Sequence, residues 1–565
     1  MKYPPCLLIV LAFAMQSLAQ ERPVIKVGNC STPRNAVSWA LDHARKHEDL
    51  APFLRYVWVQ VPEANAAKYV SLGINQTVSR SDILRVDYIH PAQDDNPAGM
   101  FANGHLIAVD LQALAPKKDD LEELLRLWDG MIVADLGTNG HNRIAVEPYF
   151  TILGKLVTVD VEPYTHTDGQ RYTKKWVREF LPAPHLDLDE AFELRELTAS
   201  KLPVVHWQWF LKKISTTVNG GMYYDFLGVV REAKDGKTPQ QLTLAKFGID
   251  ETKARANDER AAILHSKVTG RERRIDVFRG IGGRNGTGFC SITHDPSQEA
   301  VDEADDPFLN LLTFNDAARE ILFELPNGLQ GALLTNENGE IQNEAPPNVV
   351  SDRTVPAPHP TRLHCFISCM RCHGGEREAG YKDFINDVPD LFETLVKPQL
   401  DVFDDVGEGK ETTRLQRLER LTALYQGDLK NGSMGKRMFR ARDDLSDAVF
   451  ICTGGLSVSE AYTGLCNAVD KYEYDVVTPQ AALLEVGYVV PEGLDTKAVQ
   501  AVFTEVVPIL PPDEELGISF EDGRISILRA GKALNRTKFE RIYADFGYRA
   551  FLAAKARLDS GTSEK

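Results

Sequence analysis

The stretch CFISCMRCHGG, residues 365 to 375, constrains this chain more than any other. Two cofactor chemistries compete for it. Cys369-Met370-Arg371-Cys372-His373 fits C-x-x-C-H, the attachment pattern of a covalent haem c. Two thiols three residues apart can each bond one vinyl carbon of the porphyrin. The histidine that follows at once can reach the iron from the same turn. Cys365, Cys369 and Cys372 also fit C-x3-C-x2-C, a triad that can hold an iron–sulfur cluster. With 8 Cys and 13 His in 565 residues, about 0.003 C-x-x-C-H matches are expected by accident. Accident is thus a poor account of either pattern, and chemistry has to separate them.

The cluster reading implies a radical S-adenosylmethionine enzyme. The elements predicted after the motif are helical rather than those of a β/α barrel, and Arg371 stands where an aromatic residue usually precedes the last cysteine. A zinc site would need a fourth ligand, and the adjacent Cys372 and His373 cannot easily both chelate one tetrahedral ion. The plainest alternative is a set of buried residues with no cofactor. The residue types favour haem, with Gly374 and Gly375 letting the chain leave the ring closely. Cys365 is then a spare thiol.

The first residues point to the compartment. Lys2 gives a short positive start, Leu7 to Ala14 is an apolar core too short to span a bilayer, and Ser17-Leu18-Ala19 has the small residues of a cleavage site. We read residues 1–19 as a signal peptide and expect an exported protein of the periplasm or cell envelope, where haem attachment and oxidising conditions coexist. Such clusters are labile there. No later stretch reaches membrane-spanning length. Seven cysteines remain after Cys6: Cys30, Cys290, Cys365, Cys369, Cys372, Cys452 and Cys466. They are too few for a disulfide scaffold. Cys452 and Cys466 could pair, or sit as buried thiols on neighbouring helices. The formal net charge of −17 argues against a nucleic-acid or anionic-membrane partner. It would instead steer a cationic redox protein.

Hydrophobic periodicity gives an α+β, multi-domain chain. Residues 20–218 read as a mixed α/β N-terminal half, with helices at 33–50, 119–132, 188–201 and 204–215, and strands in YVWVQV and GHLIAVDL. Residues 149–164 read as strand or helix end, then strand. Residues 219–350 are β-rich, and 319–342 read as strand, turn, strand, turn, strand. The turn at Pro326-Asn327-Gly328 is made by a fixed φ followed by residues that tolerate positive φ. The five prolines of 345–362 mark a linker. Residues 351–452 form the haem segment, with helices at 389–404, 411–426 and 433–452. Residues 453–508 are helical, at 456–472 and 478–486. Residues 509–565 hold a hairpin in GISFEDGRISIL and a last helix from 535 to 557.

Within this frame His373 is the candidate proximal ligand to iron, and Cys369 and Cys372 are the thioether residues. The distal candidate is Met434, in the turn NGSMGKRM that opens a helix, where a thioether can be aimed without burying charge. Met438 and His364 are its rivals. Met434, Met438, Leu445, Val449 and Cys452 also recur at helical spacing, as a core stripe would. Trp207 and Trp209, beside His206, read as core rather than as an aromatic edge near the haem. The glycine-rich GIGGRNGTG (280–288) reads as a loop rather than a phosphate cradle. DEADD (302–306) lacks the spacing of a calcium loop.

NLLTFNDAAREILFELPNGLQGALLTNENGEIQNEAPPNVVSD, followed by ISCMRCHGG, resembles exported monohaem cytochrome c domain-containing proteins of planctomycetes and some myxobacteria. The resemblance also touches LPVVHWQWF, GGMYYDFLGV and VDLQALAPKKDDLEELLRLWDGMI. It implies one covalent haem c, electron transfer and an envelope location, but no substrate. His364 and Cys365, in TRLHCF, depart from that pattern. The expected function is therefore a one-electron carrier serving a redox partner protein. A haem-dependent oxidase or peroxidase-like enzyme, and a haem sensor or scaffold, are the alternatives.

Overall fold

A computed structural model describes residues 27–29, 33–59, 66–77, 105–115, 117–138, 188–200, 203–217, 221–250, 260–263, 273–279, 289–296, 316–344, 364–373, 434–474, 476–485, 494–507, 523–535, 538–539 and 546. In chain order the elements are β1 (Val27–Asn29), α1 (Pro33–Lys46), a 3-10 turn (Ala51–Phe53), β2 (Leu54–Val59), α2 (Ala66–Thr77) and β3 (His105–Asp110). Then come α3 (Leu111–Leu114), α4 (Lys118–Thr138), α5 (Leu188–Thr198), β4 (Val204–His206), α6 (Trp207–Ser215), α7 (Tyr223–Leu227) and α8 (Pro239–Lys246). The strands β5 (Arg260–Ile263), β6 (Arg273–Arg279), β7 (Phe289–Pro296), β8 (Asp316–Glu324) and β9 (Gln330–Asn336) precede the motif helix α9 (Ile367–His373). The rest is α10 (Met434–Thr453), α11 (Val458–Tyr474), β10 (Val476–Val477), α12 (Pro479–Glu485), α13 (Thr496–Val506), α14 (Gly523–Arg529) and β11 (Leu534–Asn535). The class is α+β.

The first sheet has the order β1-β3-β2-β4, antiparallel except for the parallel pair β2/β4. Its strands are almost continuously apolar because both faces are covered. Val57, Ile107, Val109 and Val205 point into the main core. Tyr56, Trp58, Leu106, Ala108 and Val204 alternate with them and meet Ala36, Val37, Ala40 and Leu41 of α1 and Leu194 of α5. Successive strand residues face opposite sides, so a strand packed on both faces has no polar positions to show. β3 runs directly into α3, whose start is capped by the Asp110 carboxylate accepting from the N–H groups of Gln112 and Ala113.

The second sheet is an antiparallel meander, β5-β6-β7-β8-β9. The β8–β9 turn is the one read from Pro326-Asn327-Gly328: Gly328 takes a positive φ, and the Asn327 side chain accepts from the Leu329 N–H and donates to the Asn75 carbonyl. One face of this sheet, with Cys290, Ile292, Ile321, Phe323 and Leu333, enters the same main core. That core also takes residues of α2, α4, α6, α7, α9, α10 and α11. It therefore draws on the segments 20–218, 219–350, 351–452 and 453–508 alike. Close approach tightens it at several glycines, Gly73 and Gly464 among them. A Cβ on Gly73 would lie 2.8 Å from the Trp207 ring, and one on Gly464 would lie 2.0 Å from the Tyr69 ring, which lets α11 lie against α2.

Two expectations are corrected. Residues 204–215 are not one helix: Val204–His206 form β4, and the helix starts at Trp207. Burial of Val204 and Val205 on both faces of the sheet outweighs the helical periodicity. GISFEDGRISIL is not a hairpin where it is described, since Gly523–Arg529 is helical, with Ile525 and Leu528 buried one turn apart. The expected elements at 149–164, 280–288, 302–306, 345–362, 389–404 and 411–426, and the signal segment, lie outside the described residues.

Candidate functional site

The motif helix is anchored on its apolar side. Phe366, Ile367 and Met370 are buried in the main core, whereas Cys365 and Cys369 are half-buried. Burying each of the three apolar side chains contributes about 1.5–3 kcal/mol. Backbone bonds fix the approach. The Cys365 N–H donates to the Ser215 carbonyl at the end of α6 (2.8 Å), and the Ile367 N–H donates to the Cys365 carbonyl (2.6 Å). His364 and Ser368 bond reciprocally: the His364 N–H donates to Ser368 Oγ (2.8 Å) and the Ser368 N–H donates to the His364 carbonyl (3.0 Å). Phe366 itself has φ 52°, a left-handed conformation that costs a non-glycine residue roughly 1–2 kcal/mol. Packing holds it there, as strain is held at sites that must be positioned. The helix backbone continues through Cys372 and His373, so the two cysteines stand at i and i+3 on one helix, where Cβ atoms are about 5–6 Å apart. The side chains of Arg371, Cys372 and His373 lie outside the described residues.

α7 braces the start of this helix through Phe366. The Tyr223 ring stacks on Phe366 with centroids 6.3 Å apart. Its hydroxyl accepts from the Ala332 N–H of β9 (2.8 Å), and the Tyr224 hydroxyl accepts from the Leu334 N–H (3.0 Å) and donates to the Gln342 carbonyl (3.2 Å). Burial, with Cys365 and Cys369 close by, pushes the Tyr223 phenol well above its ordinary pKa, so it stays neutral. Tyr224 is raised by burial and by Cys365. No local pattern in GGMYYDFLGV marks this tyrosine pair as part of a site. Contact with the motif, more than 140 residues away along the chain, is decided by the fold.

His364 is buried beside the motif. Met434 opens α10, which packs on α2 and α11, and α11 in turn packs on α9. The side chains of Met434 and Met438 lie outside the described residues. Leu445, Val449 and Cys452 are buried as the core stripe requires, and so is Cys466. Trp207 and Trp209 are core residues, 1% exposed each. Among the described residues no group of three or more His, Cys, Asp or Glu converges on a possible ion, and no helix is long and apolar enough to cross a membrane. No protein-family model, curated protein or solved structure matches the chain.

Sequence reasoning missed a second cluster, at one end of the five-stranded sheet. His294 Nδ1 lies 2.6 Å from the Asp316 carboxylate, and Nε2 lies 3.1 Å from Asp276. Arg319 also binds Asp316, and Arg274 binds Asp276. On the opposite face Arg273 pairs with Asp295 at 2.6 Å and with Glu320 at 3.3 Å. The available signal was charge at alternate strand positions, as in Arg274 and Asp276, but such charges ordinarily read as a solvated face. Burial alone would raise the Asp316 carboxyl. Hydrogen bonds and charge from His294 and Arg319 override burial and hold it well below the usual range. Asp295 goes the other way: burial pushes it to about 6 despite Arg273.

The two groups have opposite linkage. Asp316 contributes stability that is complete above the unfolded value of about 3.9 and is lost as pH falls below it. Asp295 favours the folded state below about 3.9, and that contribution disappears as pH rises through about 6. The acid limb of a stability–pH profile is therefore expected to be steepest below about pH 4. Asp316→Asn should flatten it. The same change should cost about 1.5–3 kcal/mol at neutral pH, because the buried His294 and the part-buried Arg319 lose a charged hydrogen-bond partner. Urea unfolding from pH 3 to pH 8 measures both effects.

Proposed function

We propose that this chain carries one haem c, bonded through Cys369 and Cys372 with His373 on the iron, and that it passes single electrons to a partner protein in the cell envelope. The observation that carries the reading is the setting of the C-x-x-C-H motif. It lies on a short helix whose Phe366, Ile367 and Met370 side is locked into the core, while Cys369 remains half-exposed. The donor set fits the group: two thiols at i and i+3, and an imidazole on the next residue of the same helix. When bound, haem supplies a one-electron couple.

The chain's own part is to hold and orient. Ser215 and Ser368 fix the turn that leads into the helix, and Tyr223 and Phe366 brace it. The neutral Tyr223 adds no negative charge near the site.

Haem-dependent peroxidase staining after denaturing electrophoresis tests the covalent bond, and the stain should stay with the protein band. An optical spectrum then separates carrier from enzyme. A low-spin spectrum with a weak red-edge sulfur-to-iron band supports an electron carrier with Met434 as distal ligand, and Met434→Ala should erase that band. Transfer of the effect to Met438→Ala or His364→Ala would move the ligand there. A high-spin iron that binds peroxide would replace the carrier with an oxidase or peroxidase-like enzyme.

A further inference from the structure

Among the described cysteines, two can be reached from solvent. Cys365 and Cys369 are half-buried, whereas Cys290, Cys452 and Cys466 are buried. All five are thiols in this structure. The haem reading uses Cys369 and gives Cys365 no task.

We propose that Cys365 and Cys369 form a reversible disulfide, a redox couple at the head of the motif helix. Three observations support it. The first is the path of the backbone. The Ser368 N–H donates to the His364 carbonyl (3.0 Å), and the Met370 N–H donates to the Phe366 carbonyl (3.3 Å). These two four-residue bonds bracket the cysteine pair on both sides. Cys365 and Cys369 therefore stand one turn apart, roughly 5.4 Å along the axis. The Cα atoms of bridged cysteines lie about 4.4–6.8 Å apart.

The second is convergence. The Tyr223 ring stacks on Phe366, between the two cysteines in sequence. After burial, the charges of Cys365 and of Cys369 are what most raise the Tyr223 pKa. Such an effect falls with distance, so both sulfurs lie near one hydroxyl.

The third is strain. Phe366 has φ 52°, and the Ile367 N–H turns back to the Cys365 carbonyl (2.6 Å). Cβ atoms one turn apart are about 5–6 Å from each other, and a disulfide needs about 3.5–4.5 Å. Closure has to draw this turn in, which stores strain and makes the bond easier to reduce. Strained or exposed disulfides are the labile, regulatory ones. A thiol is a weak hydrogen-bond donor, so other contacts at these sulfurs do not bar the exchange.

The oxidant is a disulfide, of a small thiol or of an oxidoreductase. One cysteine thiolate attacks it, and one thiolate leaves. The second cysteine then displaces the other from the mixed disulfide. The two cysteines lose two electrons, and the oxidant becomes two thiols that take up the two protons. One consequence rests on the haem reading: the bond occupies the Cys369 sulfur, so haem attaches only to the reduced chain.

The test uses the full chain, produced where haem is not attached. It is equilibrated with oxidised and reduced glutathione at fixed ratios, alkylated and digested with trypsin. Cleavage after Arg362 and Arg371 puts Cys365 and Cys369 in one peptide and Cys372 in the next. The peptide 363–371 should become lighter by two hydrogens and lose alkylation at both cysteines. Dithiothreitol should reverse this, and Cys372→Ala should leave it unchanged. If both cysteines stay alkylated at every ratio, or if peptide 363–371 is instead linked to peptide 372–377, the proposal is wrong. The bond is read without cofactor, so its failure leaves the haem reading standing, and an absent haem stain leaves the bond standing.

Discussion

Replacing both Cys369 and Cys372 with alanine is expected to reduce the haem stain of the denatured band to background. Each single variant should stain more weakly than the parent, because one thioether remains possible. The expectation follows from the chemistry of the two thiols and not from folding. Alanine is the best helix former, Cys369 is half-buried rather than packed in the core, and the anchoring side chains Phe366, Ile367 and Met370 are untouched. Far-UV circular dichroism of the apo-protein should therefore match the parent. Cys365→Ala is the discriminating control. Its backbone N–H bond to Ser215 survives the change, and a haem bonded at Cys369 and Cys372 does not need its thiol. A cluster on the C-x3-C-x2-C triad would need it. Acid-labile sulfide with iron in the parent, lost in Cys365→Ala, would therefore replace the haem reading with the iron–sulfur one.

Gly221→Ala should be the most damaging single methyl group tested. A Cβ at this position would lie 2.1 Å from the Thr216 carbonyl oxygen and 2.3 Å from its carbon. The obstacle is backbone rather than a side chain that can swing aside. That backbone is also committed: the Tyr223 N–H donates to the Thr216 carbonyl (3.1 Å), and the Met222 N–H donates to Lys213 (2.7 Å). Relief requires either the end of α6 to unwind or α7 to shift. A shift carries Tyr223 and Tyr224 away from β9 and from Phe366, so the brace on the motif helix goes with it. Overpacking usually costs about 1–3 kcal/mol and sometimes more. With two backbone bonds and two buried tyrosines at stake, about 3 kcal/mol or more is expected, read as a lower urea midpoint. A midpoint unchanged from the parent would show that α6 and α7 do not meet as described.

Much of the secondary structure was legible because it rests on local patterns. The helices α1, α4, α5, α10, α11 and α12 follow their apolar periodicity, and the β8–β9 hairpin follows its Pro-Asn-Gly turn. The misreadings have one cause. Val204 to His206 and Gly523 to Leu528 carry short apolar patterns that serve strand or helix equally, and burial by distant residues settles which. The same limit hid Tyr223 and Tyr224, whose place beside Cys365 and Cys369 depends on β9. It also hid His294, which gains meaning only when antiparallel pairing sets it between Asp276 and Asp316.

What the sequence determined by itself is the chemistry at 369–373. The C-x-x-C-H spacing is a covalent fact, and a thiol, a thiol and an imidazole within five residues offer the same reactive atoms in any fold. Only the tertiary structure decided how that set is held. It turned Phe366 into a left-handed start for the helix, buried Met370 and left Cys369 half-exposed. It also drew bracing residues from α6, α7 and β9 around the motif. Bond-forming capacity belongs to side chains and their local spacing. Exposure, orientation and charge depend on which distant residues fill the surrounding volume, and close packing of the whole chain fixes that.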